Sequence, residues 1–258
     1  MEGTVGHAVN KVNRRDRLVD LSAESSYVAS MNRLVLAVAT AFSVFLASPA
    51  FAGERAVVIP APALDNPKTA APTQTAVIAA GCFWGVQGVY QHVRGVHKAV
   101  SGYSGGTKAT ADYETVSRGA TGHAESVEIV FDPKEISYGE ILQIFFSVVH
   151  DPTQLDRQGP DVGTQYRSSI FYTNDSQKRI AQAYIAQLTK AKAFRREVVT
   201  RVDPLKDFYA AEDYHQDFLI NNPSYPYIVI HDLPKIASFK KLFPGRYREQ
   251  PVLARSTR

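Results

Sequence analysis

The clearest alternation in the chain runs over residues 122–132, "GHAESVEIVFD". Glu125, Val127, Ile129 and Phe131 fall on one face, and Ser126, Glu128 and Asp132 fall on the other with Val130. That is the period of a strand with one buried side. Residues 75–80 form a short apolar run stopped by Gly81, the pattern of a central strand covered on both faces. A helix is predicted over 83–92, broken by Gly95, and a second strand over 96–103, closed by Ser104-Gly105-Gly106. Ser137 and Glu140 make a capping box for a helix that runs to Val149. Its apolar stripe is Ile141, Leu142, Phe145, Phe146 and Val149, and Asp151-Pro152 stops it.

A fourth strand is predicted over 168–173. A long helix follows over 175–192, with an apolar row at Ala181, Tyr184 and Leu188 and a basic end at Lys190 and Lys192. A fifth strand is expected over 197–202 and a short helix around 211–219. The order β-α-β-β-α-β points to an α+β fold, a ferredoxin-like split βαβ two-layer sandwich with C-terminal additions.

Before this domain the pattern changes. From Met31, a basic Arg33, an apolar run over 34–46 and the small-residue end Ala50-Phe51-Ala52 read as a signal peptide over 31–52, cleaved before Gly53. The protein is therefore expected outside the cytoplasm, in the periplasm. Residues 1–30 are an extension that a signal peptide does not need, and Met31 is the expected start. Residues 53–74, rich in Pro, Ala and Thr, read as a flexible leader. The catalytic domain is expected over 75–230 and a cysteine-free tail over 231–258. Both methionines, Met1 and Met31, precede the expected cleavage site. The apolar run is too short to span a membrane comfortably, and no later segment qualifies.

Composition narrows the partners. Apolar residues at 45% and charged ones at 21% describe an ordinary globular chain, and the net charge is +4. No Lys/Arg block exceeds a pair, so nucleic acid is not an expected partner.

The one cysteine and the one tryptophan stand two positions apart in "AVIAAGCFWG". Cys82 falls where a buried strand gives way to a helix. There, unpartnered N–H groups and the helix dipole favour a thiolate. Position alone allows the alternative of a small buried hydrophobe. The flanking residues favour a reactive thiol: Gly81 permits close approach, and Phe83 and Trp84 could wall an apolar slot beside the sulfur. Glu125 is the carboxyl that stands out, because its strand face is otherwise apolar. Desolvation there would raise its pKa and leave it protonated near neutrality, unless the side chain simply reaches solvent. His123, His150 and His215 have no spacing that selects one as a base for the thiol. A single cysteine and scattered His and acidic residues argue against a metal site, and no phosphate-binding glycine motif suggests a nucleotide cofactor.

Four stretches carry a resemblance. "GCFWG" (81–85), "TGHAESVEIVFDP" (121–133), "HDPTQLDRQGPDVGTQYRSSIFY" (150–172) and "AEDYHQDFL" (211–219) are similar, in order, to the A-type peptide methionine sulfoxide reductases. The resemblance implies that Cys82 attacks the sulfoxide sulfur and that Phe83 and Trp84 hold the S-methyl group. Glu125 would protonate the departing oxygen, Tyr113 and Tyr166 would donate hydrogen bonds to it, and Asp161 would help position the polar network. Only the S-sulfoxide is the expected substrate, since separate enzymes serve the two epimers. Oxidised proteins, peptides and free methionine sulfoxide are all candidates, acted on by a monomer without a cofactor.

One feature departs from the family. Many members carry further cysteines in a C-terminal tail, and residues 231–258 hold none. An external thiol is then the expected reductant, whether a thioredoxin-like protein, a glutaredoxin-like protein or a small thiol. Two rival readings remain at this level. A thiol peroxidase leaves the Phe83-Trp84 pair unexplained, and a non-catalytic peptide-binding module leaves Glu125 without a purpose.

Overall fold

A computed structural model of the protein describes residues 56–66 and 72–254. The expected signal peptide and the extension before it lie outside the described residues. The fold is mixed α/β. In chain order its elements are β1 (Gln74–Ala80), α1 (Phe83–Gln91), β2 (Val96–Ser104), α2 (Tyr113–Ser117), β3 (Ala124–Phe131) and α3 (Tyr138–Ile144). They continue with β4 (Arg157–Gln158), β5 (Asp161–Val162), β6 (Ser168–Tyr172), α4 (Asp175–Lys190), β7 (Arg201–Pro204), β8 (Phe208–Ala210), α5 (Phe218–Asn221) and α6 (Leu233–Leu242).

Six strands form one sheet in the order β7-β6-β1-β3-β2-β8. β1 is antiparallel to both β3 and β6, β2 is antiparallel to β3 and β8, and β7 runs parallel to β6. The apolar strand β1 thus lies inside the sheet, as its near-continuous hydrophobic run requires. Register pairs Ile78 with Val127 and Tyr103 with Glu125. One sheet face, with Ile78, Val127, Ile129 and Phe131, packs in a single core with Val86 and Val89 of α1, Ile141 of α3 and Tyr184 of α4. The other face, with Val77, Ala79 and Phe171, is covered by Leu205 and Phe208.

The capping box forms: the Glu140 N–H donates to Ser137 Oγ at 3.1 Å and the Ser137 N–H to Glu140 Oε2 at 2.9 Å. α3 then widens into a π-helical turn over Phe145–Val149, so the helix does reach Val149 but not as one regular rod. Three expectations need correction. The fifth strand is Arg201–Pro204, not 197–202; before it, Val199 is engaged elsewhere, donating its N–H to Pro152 O at 2.9 Å. The helix expected around 211–219 is a 3-10 turn over Asp213–His215 and then α5, separated by Asp217 in the left-handed region at φ 57°. The expected flexible leader is, over residues 56–66, a strap docked on the helices. The Val57 N–H donates to Ser147 O and Gln143 Nε2 to Ile59 O, while the Tyr184 hydroxyl donates to Pro60 O. Asp65 accepts from the Gly139 N–H at 2.8 Å and from Ser137 Oγ. Gly139 is needed there, because a Cβ would overlap Asp65 and Pro62.

Candidate active site

At the end of β1 the chain turns through Gly81 at φ +82°, where a Cβ would overlap the Gln158 side chain. Only glycine meets both demands. The turn sets Cys82 at the N-cap of α1 with its side chain part-buried. The next N–H, that of Phe83, donates to Glu125 Oε2 at 3.0 Å. Thiol and carboxyl therefore share one helix N-terminus, although 42 positions separate Phe83 from Glu125.

Glu125 is 3% exposed. Burial pushes its pKa up to about 8, against the lowering effect of the Phe83 N–H, and the charge of Asp161 pushes the same way. At neutrality the carboxyl is protonated. The Cys82 thiol departs from expectation. Burial pushes it well above its ordinary value, the charges of Glu125, Asp232 and Asp161 add to that, and the backbone N–H of Trp84 alone pulls it back. The helix N-terminus favours the thiolate as predicted, but desolvation and three carboxyl groups outweigh it.

The other expected residues converge on this point. The phenols of Tyr113 and Tyr166 are both pushed up by burial and then by Glu125, with Cys82 and Asp161 among the further causes. Asp161 accepts a hydrogen bond from the Tyr227 hydroxyl. Trp84 stacks on Phe218 with ring centroids 3.8 Å apart, and Tyr225 and Tyr227 meet it edge-on. Its indole N–H donates to His215 Nδ1 at 3.1 Å. Phe83 is fully in the core, its ring against Tyr103 and His215.

Several members of the site carried no signal that selected them in the sequence. Glu212 accepts from the Tyr113 N–H at 2.8 Å and from the Tyr103 hydroxyl at 2.9 Å, fixing the helix that carries Tyr113. His215, 2% exposed, anchors Trp84. Its segment is tied down by Gln216, which bonds Ser101 and Gln87, and by the Asp217 N–H, which donates to Gln87 Oε1. Tyr227, Asp232 and Lys235 arrive from the C-terminal part of the chain. His123 and His150 serve structure: His150 bonds Phe145 O and Ser168 Oγ, and burial holds its pKa down at about 3. Among the described residues no cluster of three or more His, Cys, Asp or Glu is placed to hold a metal ion.

A thiol at a helix N-terminus, a neutral carboxyl beside it and phenols around both define a thiol-dependent enzyme that moves a proton onto the group its sulfur attacks. Residues 74–246 match the model of the peptide methionine sulfoxide reductase family. The chain is 62% identical to peptide methionine sulfoxide reductase MsrA 2 of Mesorhizobium japonicum, over 73% of this chain and 97% of that one. It is 54% identical to MsrA 2 of Synechocystis, over 75% of this chain and 92% of the relative. Among solved structures it is similar to reduced Mxr1 of Saccharomyces cerevisiae, with a TM-score of 0.55 and 30% identity over 66% of this chain and 96% of that one. Methionine sulfoxide reductase A of Corynebacterium diphtheriae gives 0.52 and 32%, covering 67% of this chain and 92% of that one. The chain belongs to the peptide methionine sulfoxide reductase family and is an oxidoreductase of the A type, reducing methionine sulfoxide at the expense of thiols.

Proposed function

We propose that this reductase acts on the S-sulfoxide of methionine, in oxidised polypeptides and as the free amino acid, through a sulfenic acid at Cys82. The observation that carries the reading is the pairing of Cys82 at the N-cap of α1 with the protonated, buried Glu125 held on the adjoining N–H. A sulfoxide is a poor electrophile until its oxygen is protonated. Glu125 supplies that proton while Tyr113 and Tyr166 donate hydrogen bonds to the oxygen, and Asp161, fixed by Tyr227, orders the polar side. Trp84, stacked on Phe218 and pinned by His215, presents a flat apolar wall to the S-methyl group, backed by Phe83.

Cys82 gives up its thiol proton, which replaces the one that Glu125 delivers to the oxygen, as its Sγ attacks the sulfoxide sulfur; the sulfur–oxygen bond of the substrate breaks, and the oxygen ends on Sγ as Cys–S–OH. The thiol is oxidised by two electrons and methionine is released reduced. Two protein or small thiols then return Cys82 to its starting state, the first forming a mixed disulfide with loss of water and the second releasing it as a disulfide. A thioredoxin-like or glutaredoxin-like protein fits that role, because this chain has a single cysteine.

The antiparallel order β6-β1-β3-β2 with α1 and α3 as crossovers supports a ferredoxin-like core to which β7 and β8 are added. The Arg33, apolar run and Ala50-Phe51-Ala52 sequence supports export, with repair of oxidised proteins outside the cytoplasm. Among the described residues no helix is long and apolar enough to cross a membrane.

Purified protein with dithiothreitol, offered a methyl sulfoxide or hydrogen peroxide, tests the reading. Turnover of the sulfoxide that vanishes in Cys82→Ser is expected. Turnover of peroxide alone, or sulfoxide reduction that survives in Cys82→Ser, would overturn it.

A further inference from the structure

The acid and the two phenols stand on separate segments, and one further side chain bonds those segments together. Tyr113 opens α2, Glu125 lies at the start of β3, and residues 118–123 join the two. Tyr166 closes a 3-10 turn over Thr164–Tyr166. Arg167, next in the chain, is 7% exposed and turns its guanidinium onto the joining segment. Nη2 donates to Gly122 O at 2.9 Å, and Nη1 donates both to His123 O at 3.0 Å and to Thr164 O at 2.8 Å. One planar group thus holds the two residues ahead of β3 and the first residue of the turn that carries Tyr166. Its neighbours close the same seam: Thr164 Oγ1 donates to Gly119 O at 2.8 Å, and Gln165 Nε2 donates to Ser117 O at 3.0 Å. Gly105, at φ +100°, leaves room for the guanidinium, since a Cβ there would stand 2.8 Å from Nη2 and 2.9 Å from Gly122 O.

We propose that Arg167 is a positioning residue for the proton transfer: it locks the segment between α2 and β3 onto the turn of Tyr166, so that the Glu125 carboxyl and the Tyr113 and Tyr166 hydroxyls meet one sulfoxide oxygen. The proposal deepens the reductase reading and rests on Glu125 as the acid. The partners of Arg167 carry it. Among the described residues no carboxylate bonds this side chain; its N–H groups donate to carbonyls of these two segments, and Nε is buried with no partner. Asp156 and Asp203 act on it at longer range, against Arg201. Burying a cation on carbonyls alone is costly, so the arrangement is a poor device for stability. What it supplies is geometry, because a rigid fork holds two segments at a fixed spacing and a flexible ammonium does not. Misplacing a reacting group by about 1 Å can slow a reaction by about 10²-fold, and the clamped His123 carbonyl lies just ahead of the strand that begins Ala124-Glu125.

Arg167→Met keeps much of the side-chain length and loses the fork. At saturating sulfoxide its single-turnover rate of methionine release should fall by about 10- to 100-fold. The half-saturating sulfoxide concentration should move by less than about threefold, because the apolar wall of Phe83 and Trp84 lies outside the clamp. A double-mutant cycle with Glu125→Gln separates positioning from damage to the fold. If Arg167 acts by placing the acid, its replacement should cost at least about fivefold less in the Glu125→Gln background than in the parent. General loosening of the domain would slow both backgrounds by the same factor. Arg167→Lys keeps the charge and reaches fewer of the three carbonyls, so the same coupling is expected with a smaller loss; it carries the test where Arg167→Met fails to fold. Equal losses with and without the acid, or a parental rate in either folded variant, would overturn the proposal. The reductase reading fails separately, if Cys82→Ser still releases methionine at the parental rate.

Discussion

Burial at the start of β3 keeps the Glu125 carboxyl protonated up to about 8, whereas in an unfolded chain it ionises near its ordinary 4.5. Between those limits the folded state binds the extra proton. The stability this group allows is therefore full below its unfolded pKa and is lost as pH rises through the folded one. At about 1.4 kcal/mol per pH unit the loss is on the order of 5 kcal/mol. Glu125→Gln should flatten the fall of Tm between about pH 5 and pH 8 and raise Tm at the upper end, measured by thermal unfolding at each pH. The same variant should slow reduction by about 10²–10⁴-fold, and a loss below tenfold would mean another group delivers the proton. His215 poses a related question. An indole N–H can only donate, so His215 Nδ1 must be unprotonated to hold Trp84, and burial keeps the ring neutral. His215→Phe should raise KM about tenfold, the loss of one hydrogen bond, and shift the emission of the single tryptophan; an unchanged spectrum would contradict that anchoring. Cys82 and Glu125 were legible because each breaks a local pattern, a thiol at a strand-to-helix turn and a carboxyl in an apolar row. Asp232, Lys235 and Tyr227 break none, and only the folded chain brings them in.

The elements divide along the same line. β1, α1, β3 and the capped start of α3 were readable from period, cap and stop residues, because their partners lie within each segment's own pattern. The strap over 56–66 was not. Its sequence has no period, and its hold comes from backbone carbonyls of Ile59, Pro60 and Ala61 meeting Gln143, Tyr184 and Gln187. β7 and β8 were displaced or missed for a similar reason: they are short strands at the sheet's two edges, set by their neighbours β6 and β2 rather than by alternation. The strap makes its own prediction. Asp65 adds to the N-terminus of α3 through the Gly139 N–H and Ser137 Oγ, so Asp65→Ala should cost about 1–2 kcal/mol in urea unfolding. Since it lies outside the thiol site, kcat should not change. A variant as stable as the parent would mean that the strap rests on the domain without supporting it.

At the scale of the whole molecule, a chain with one cysteine cannot resolve its own sulfenic acid with a second thiol, so each turnover ends with an oxidised enzyme awaiting an outside thiol. Export would place that exchange where disulfide-forming machinery acts on paired cysteines, and a lone thiol cannot be closed into an internal bond. N-terminal sequencing of the native protein should begin at Gly53, and a start at Met1 in protein from the cytosol would contradict export. The most direct test of the account is a single-turnover reaction without reductant. Enzyme mixed with excess methionine S-sulfoxide should release one methionine per chain and gain about 16 Da, the mass of one oxygen, at the peptide holding Cys82, with dithiothreitol restoring turnover. Several methionines per chain with no gain in mass would contradict a mechanism in which Cys82 takes the oxygen.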